Sequence, residues 1–265
     1  MLEIKNVTKI FNKELSQDER RIALDDLSIT INDGDFITVI GGNGSGKSTL
    51  MNSISGVFPL DSGQIIIDGE DITNMPEFER AKFLGRVFQD PRMGTCGNMS
   101  ILENLELSYR RGNKRGLHWG FTKENEEKYV ELLKGLNLGL ESRLEQKVGL
   151  LSGGQRQAVT LLMSTLKIPK LLLLDEHTAA LDPKTAKIVL NLTNEIVTRE
   201  NITTLMITHN MNDAIKYGNR LIMLDHGHII LDISGEEKQK LTIKDLLQKF
   251  EDSDVTADDS LLLSK

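Results

Sequence analysis

The sequence holds one cysteine in 265 residues, Cys96, which excludes an internal disulfide and fits a reducing compartment. It lacks long hydrophobic runs. The most solidly apolar stretch, residues 171–174, falls far short of the roughly 18–20 residues that span a membrane. The opening residues, Met1-Leu2-Glu3-Ile4-Lys5, show no basic stretch leading into an apolar one, so no secretory leader is expected. A net positive charge is lacking too. The formal net charge is −7, which speaks against a protein that coats nucleic acid, and no nucleic-acid partner is expected. Internal repeats, low-complexity segments and sustained heptads are also missing.

What is there reads as a globular α/β protein. Hydrophobic residues at 39% and charged residues at 27% suit one large domain or a core with a subdomain. Residues 251–265 hold five acids and one base and so carry −4 of the net charge. Polar and without periodicity, they read as an acidic, mobile tail behind a nearly neutral body at 1–250. Strand-like runs at Phe36–Ile40 and at 64–67, 86–89, 170–174, 203–208 and 220–224 alternate with helical patterns, which argues for a mostly parallel sheet. Asp182 as N-cap and Pro183 at the first helical position open a helix over Pro183–Arg199. Residues 221–225 and 228–232 flank Gly227 as a hairpin.

From about 90 to 168 the strand signals vanish. Helical patterns at Ile101–Tyr109, 123–136 and 153–168 follow one another, and the stretch reads as a helical insertion. Its loop 110–123 has five basic residues and no acid. That loop is either a solvated connection or a surface facing a membrane partner or anionic headgroups.

The chemistry begins at Gly41-Gly42-Asn43-Gly44-Ser45-Gly46-Lys47-Ser48-Thr49, which fills the pattern G-x-x-x-x-G-K-[ST] between an apolar strand and a helix start. Glycines let backbone N–H groups converge on phosphate oxygens, and the helix N-terminus adds partial positive charge. Lys47 is expected to reach the β- and γ-phosphates of a nucleotide, and the Ser48 hydroxyl to bind Mg²⁺. A second feature is the run Leu171 to Leu174 ending in Asp175-Glu176. Ligands of parallel sheets gather at the carboxyl ends of strands. Alternation along an extended strand would send the two acids to opposite faces. Asp175 is the better Mg²⁺ holder, and Glu176 the better base for an attacking water.

A third feature, Leu151-Ser152-Gly153-Gly154-Gln155, opens a helix. Ser152 and Gln155 form a capping box on paper. Two glycines in a first turn each cost about 0.5–1 kcal/mol relative to alanine, and a purely structural helix gains nothing from them. Bare N–H groups there would make a second anion site, which is the favoured reading.

With Arg156-Gln157 following, this run resembles the signature of ATP-binding cassette (ABC) ATPases. The resemblance covers about residues 2–250. Its motifs come in family order: the phosphate loop, Gln89 at a strand end, the signature, Asp175-Glu176, Ala180-Leu181-Asp182 and His209. It implies a P-loop NTPase (RecA-like) core with an N-terminal antiparallel β subdomain and a helical insertion, using ATP and Mg²⁺. Two such domains would clamp two ATP molecules, each between one subunit's phosphate loop and the other's signature. Ser152, Gly153, Gly154 and Gln155 would thus serve a second cassette subunit, in the simplest case another copy of this chain. Gln89 would reach Mg²⁺ and the attacking water, Asp182 the partner subunit, and His209 the γ-phosphate region. Phe11 matches an aromatic that stacks on adenine, or is a core phenylalanine. The family commonly has proline where this chain has His177, an imidazole that either alters the hydration and pH response of Glu176 or fills space.

The implied function is the energy-coupling ATPase subunit of a membrane transporter, peripheral on the cytoplasmic face of the cell membrane. Its texture around 146–165 is most similar to importers that use transmembrane permease subunits and an extracellular solute-binding protein, some of them carrying amino acids. The alternatives are a soluble cassette serving iron–sulphur cluster assembly, and an unrelated P-loop phosphotransferase.

Overall fold

A computed structural model describes residues 1–16, 19–113 and 122–251, of which Phe250 and Glu251 are described by backbone alone. In chain order the elements are β1 (Leu2–Phe11), β2 (Arg21–Ile31), β3 (Phe36–Ile40), α1 (Lys47–Ser55), β4 (Ser62–Ile67), β5 (Glu70–Asp71) and α2 (Glu77–Arg80). Next come β6 (Leu84–Val87), α3 (Ile101–Tyr109), α4 (Lys123–Gly135), α5 (Gly153–Thr165), β7 (Leu171–Asp175) and α6 (Pro183–Arg199). Last are β8 (Thr204–Ile207), α7 (Met211–Lys216), β9 (Arg220–Asp225), β10 (His228–Ser234), α8 (Gly235–Lys240) and α9 (Ile243–Glu251). They group into two compact units, Met1–Phe83 with Asn201–Lys265, and Leu84–Glu200.

In the first unit β3 is Phe-Ile-Thr-Val-Ile, buried throughout, because parallel partners β8 and β9 flank it on both sides. Its one polar side chain, Thr38, donates to the Ala214 carbonyl at 2.9 Å, so burying the hydroxyl costs little. β9 and β10 form the antiparallel hairpin around Gly227. Met211, Ala214, Leu221, Met223, Ile233 and Leu246 pack with Ile40 into one core cluster. Burying each large side chain there contributes about 1.5–3 kcal/mol.

The antiparallel sheet of this unit runs in the order β2-β1-β4-β5. β1 and β2 escape a simple alternation reading for a physical reason. Leu2 and Ile4 are buried, but the buried phase then shifts by one, to Val7 and Lys9. The pairing register breaks between Ile4 and Val7, and Asn6 there sits at φ 49°. Such a bulge flips which residues face the core.

α1 follows β3 directly and is held at its far end. Arg80, 2% exposed, donates to the carbonyls of Ser53 (2.7 Å), Ile54 (2.8 Å), Thr73 (2.7 Å) and Met75 (2.7 Å). A guanidinium at a helix C-terminus satisfies carbonyls that the helix leaves open and suits its dipole.

In the second unit β6 and β7 pair in parallel, Leu84 to Val87 against Leu171 to Leu174. Between them the described residues form helices α3, α4 and α5, with a short 3₁₀ turn at Val148–Leu150. The buried Glu106 carboxylate accepts from Tyr129 (2.8 Å), Asn125 (3.1 Å) and Arg110 (2.8 Å), tying α3 to α4. α6 begins as its sequence requires: Asp182 accepts from the Thr185 amide at 3.1 Å, and proline follows it.

Element edges move from the sequence expectation at several places. The strand expected at 86–89 is Leu84–Val87, so Gln89 lies two residues beyond it. The helix expected at 153–168 stops at Thr165. The expected tail 251–265 begins on the last residue of α9, and 252–265 lie outside the described residues.

Candidate functional site

The phosphate loop lies in the first unit. Gly41, Gly44 and Gly46 sit at φ 153°, 79° and 106°, conformations that side chains resist. A Cβ on Gly41 would lie 2.3 Å from the Leu224 carbonyl oxygen, and one on Gly46 2.5 Å from that of Ala23. Both glycines are therefore required by close approach as well as by angle. Gly46 precedes α1, whose first turn carries no acid, so the partial positive charge of the helix start is undiminished. Lys47 curls back over the loop, its Nζ donating to the carbonyls of Gly41 (2.8 Å) and Gly42 (2.7 Å) and reaching Ser45 Oγ at 3.4 Å. Asn43 and Ser48 are exposed and Thr49 half-buried. Phe11 ends β1 half-buried, its ring edge-on to Phe58 with centroids 5.3 Å apart. His209 is exposed just past β8, close enough to Asp213 for their charges to interact.

The second unit carries the remaining residues. Asp175 ends β7, where Arg86 approaches its carboxylate at 3.6 Å. Glu176 is in the left-handed region at φ 43°, a conformation that costs a non-glycine residue about 1 kcal/mol or more. This corrects one step of the sequence argument. Strand alternation cannot separate Asp175 from Glu176, because the strand has ended and the chain turns at Glu176, whose carbonyl accepts from Ala179 at 2.9 Å. Gln89 is exposed. Sequence reasoning missed Gln157, fully buried on α5, which donates to the Phe88 carbonyl at 3.0 Å and so anchors the backbone beside Gln89. The signal was there: a glutamine on the apolar face of a helix must find a partner.

At the start of α5 the capping box is formed. Ser152 Oγ accepts from the Gln155 amide (3.3 Å), and Gln155 Oε1 from the Ser152 amide (3.2 Å). Gly154 also has a packing reason that the sequence argument denied it. A Cβ there would lie 1.9 Å from Thr185 Cγ2 of α6. Gly153 is exposed and meets little, so it alone keeps the unexplained cost. In the basic loop, Arg110 is bound to Glu106, and Arg111 donates to the carbonyls of Ser164 (3.2 Å) and Lys167 (2.9 Å). Lys114 and Arg115 lie outside the described residues.

His177 is 1% exposed and pairs through Nε2 with Thr193 Oγ1 at 3.1 Å. The Thr193 hydroxyl hydrogen goes to the Val189 carbonyl (2.8 Å), so His177 is the donor and carries its proton on Nε2. Burial pushes its pKa down from 6.5 to about 4. The imidazole is thus neutral at pH 7 and fills core space under α6. Its folded pKa is depressed, so stability is complete above pH 6.5 and falls as pH drops toward 4, where the unfolded chain takes up the proton first. Between pH 7 and 5 the wild type should lose about 2 kcal/mol more than His177→Gln in denaturant unfolding. Equal slopes for the two proteins would contradict this.

A family model described as ABC transporter matches residues 24–179. The chain belongs to this family. The cassette is 49% identical over 251 residues to a tyrosine transport ATP-binding protein of Clostridioides difficile (strain R20291), covering 95% of this chain and 99% of that one. It is 31% identical over 252 residues to the phosphonates import ATP-binding protein PhnC of Lactobacillus acidophilus (strain ATCC 700396 / NCK56 / N2 / NCFM), covering 93% and 94%. It is 33% identical to the spermidine/putrescine import ATP-binding protein PotA of Pasteurella multocida (strain Pm70), of whose length the match covers 59%. Among solved structures, a dimeric ATP-binding cassette in a post-hydrolysis state with ADP and phosphate superposes with a TM-score of 0.74 at 30% identity, covering 88% of this chain and 98% of that one. The cassette is an ATP-hydrolysing subunit of a membrane ABC transporter with an α/β P-loop fold. Relatives named for transport do not favour the iron–sulphur alternative. Among the described residues no helix is long and apolar enough to cross a membrane.

Proposed function

We propose that the cassette powers import of tyrosine or a closely similar amino acid, as a pair of copies beneath transmembrane permease subunits on the cytoplasmic face of the membrane. An extracellular solute-binding protein would deliver the solute. The observation that carries this reading is 49% identity, over nearly the whole of both chains, to a protein named for tyrosine transport. Residues 1–250 act as the ATPase domain, with the helical insertion at about 90–168 and the acidic segment 251–265 behind it.

In this reading Phe11 stacks on the base, and the loop Gly41 to Thr49 cradles the phosphates with Lys47 as its cation. Ser152, Gly153 and Gly154 act on the second subunit's nucleotide and Asp182 contacts that subunit; Gln155, committed to the capping box, serves by fixing that turn. Glu176 polarises the attacking water and His209 contacts the γ-phosphate region. The donor set fits Mg²⁺: the Ser48 hydroxyl, the Gln89 amide oxygen and the Asp175 carboxylate are hard oxygen ligands, and this ion takes few protein ligands besides phosphates. When bound, Mg²⁺ would neutralise charge on the β- and γ-phosphates.

The test is uptake. Vesicles containing the cassette and the multi-span protein that co-purifies with it should accumulate labelled tyrosine when ATP is supplied on the cassette's side. Uptake of polyamine or phosphonate but not tyrosine would overturn the substrate. Co-purification with a soluble iron–sulphur scaffold in place of a membrane protein would overturn the transport role.

A further inference from the structure

The β1–β2 hairpin ends on the pair Phe11 and Arg21, which sit opposite one another in register. Directly paired residues of an antiparallel ladder point to the same face. That end of the hairpin touches the phosphate loop. A Cβ on Gly46 would lie 3.2 Å from Leu24 Cδ2 as well as 2.5 Å from the Ala23 carbonyl oxygen. Arg21 continues the contact outward: its Nη2 is 3.5 Å from the Gly44 carbonyl oxygen. It also lies 2.4 Å from where a Cβ on Gly44 would stand. Gly44, at φ 79°, is therefore the residue over which the guanidinium lies.

The fold gains little from this arrangement. Arg21 is exposed, and a hydrogen bond of 3.5 Å is at the limit of what counts as one. Among the described residues no carboxylate forms an ion pair with Arg21. A guanidinium has five N–H donors, and among the described residues one is engaged. The cation nearest to hand inside the loop, Lys47, is turned inward onto the carbonyls of Gly41 and Gly42. A nucleoside triphosphate brings several negative charges to this spot. A guanidinium fits phosphate oxygens with paired, charge-assisted hydrogen bonds.

We infer that Arg21 is a second cation for the nucleotide, binding its phosphate chain from the β1–β2 hairpin while Phe11 takes the base. This rests on the phosphate loop being the ATP site. Arg21 is a specificity and affinity residue, one that favours tri- and diphosphates over the bare nucleoside, and it takes no part in the chemical step.

The experiment is displacement of a fluorescent ATP analogue by Mg-ATP, ADP and adenosine from the full chain and its Arg21→Gln and Arg21→Lys variants. Arg21→Gln should weaken Mg-ATP about 10-fold and leave adenosine unchanged. Arg21→Lys should recover most of the loss, and hydrolysis at saturating ATP should stay within about two-fold of wild type, so that KM moves and kcat does not. Raising salt should narrow the gap, since the side chain is exposed. Wild-type ATP affinity in Arg21→Gln would overturn the inference. Equal weakening of ATP and adenosine would overturn it too, because the hairpin itself would then have been disturbed. If Lys47→Ala weakens ATP while Arg21→Gln does not, the ATP site stands and Arg21 falls alone. A wild-type chain that binds no nucleotide would sink both.

Discussion

Glu176→Gln should bind Mg-ATP within about three-fold of wild type and hydrolyse it at least 100 times more slowly. A positioned general base contributes about 10²- to 10⁴-fold, or about 2.7–5.4 kcal/mol of barrier, and an amide cannot take the proton. The substitution changes little else. Glutamine matches glutamate in size, and the left-handed backbone at φ 43° strains both side chains alike. A rate loss would therefore report the carboxylate and not a collapsed turn. Because a similar cassette is dimeric in a post-hydrolysis state with ADP and phosphate, blocked hydrolysis should also hold two copies together on ATP. Single-turnover phosphate release gives the rate, and size-exclusion chromatography with and without ATP gives the dimer. Turnover near the wild-type rate would remove Glu176 as the base.

How much of this was legible beforehand depends on what kind of signal each residue leaves. The strand and helix around residues 41–46 are legible in the sequence, because a strand, a glycine turn and a lysine at fixed spacing leave few alternatives. α1 begins at Lys47, at the helix start expected behind the loop. The helix after Asp182 was legible for the same reason: cap and proline are local signals. β1 and β2 were not read as individual strands. The positive φ at Asn6 and Asp26 marks bulges that break the alternation on which a strand reading rests.

Long-range packing left no local trace either. Nothing in Gly153-Gly154 says that Thr185 will press on the second glycine and not the first. Nothing local marks Arg80 apart from Arg21, yet one is buried on four carbonyls and the other lies exposed beside Gly44. The sequence shows charge and spacing; which arginine is structural emerges once the chain has folded.

Lys47→Ala separates binding from chemistry in the opposite sense to Glu176→Gln. In the structure Lys47 is 9% exposed, and its ammonium is held by the Gly41 and Gly42 carbonyls. It is a strut of the loop before it is a ligand for phosphate. When phosphates arrive, the same donors would exchange neutral carbonyls for charged oxygens, a stronger class of hydrogen bond. Alanine forfeits both. ATP affinity should fall about 100-fold, which corresponds to about 3 kcal/mol for charge-assisted bonds. Arginine should not restore it, since a planar fork cannot replace a compact ammonium folded over a tight loop. The variant should also fail to dimerise with ATP, where Glu176→Gln dimerises more firmly than wild type. Thermal unfolding without nucleotide measures the strut alone, and calorimetric titration with Mg-ATP measures strut and ligand together. A variant that unfolds earlier yet binds ATP with wild-type affinity would leave Lys47 as a strut and nothing more. The loop's glycines and helix start would then have to carry the phosphate charge without it.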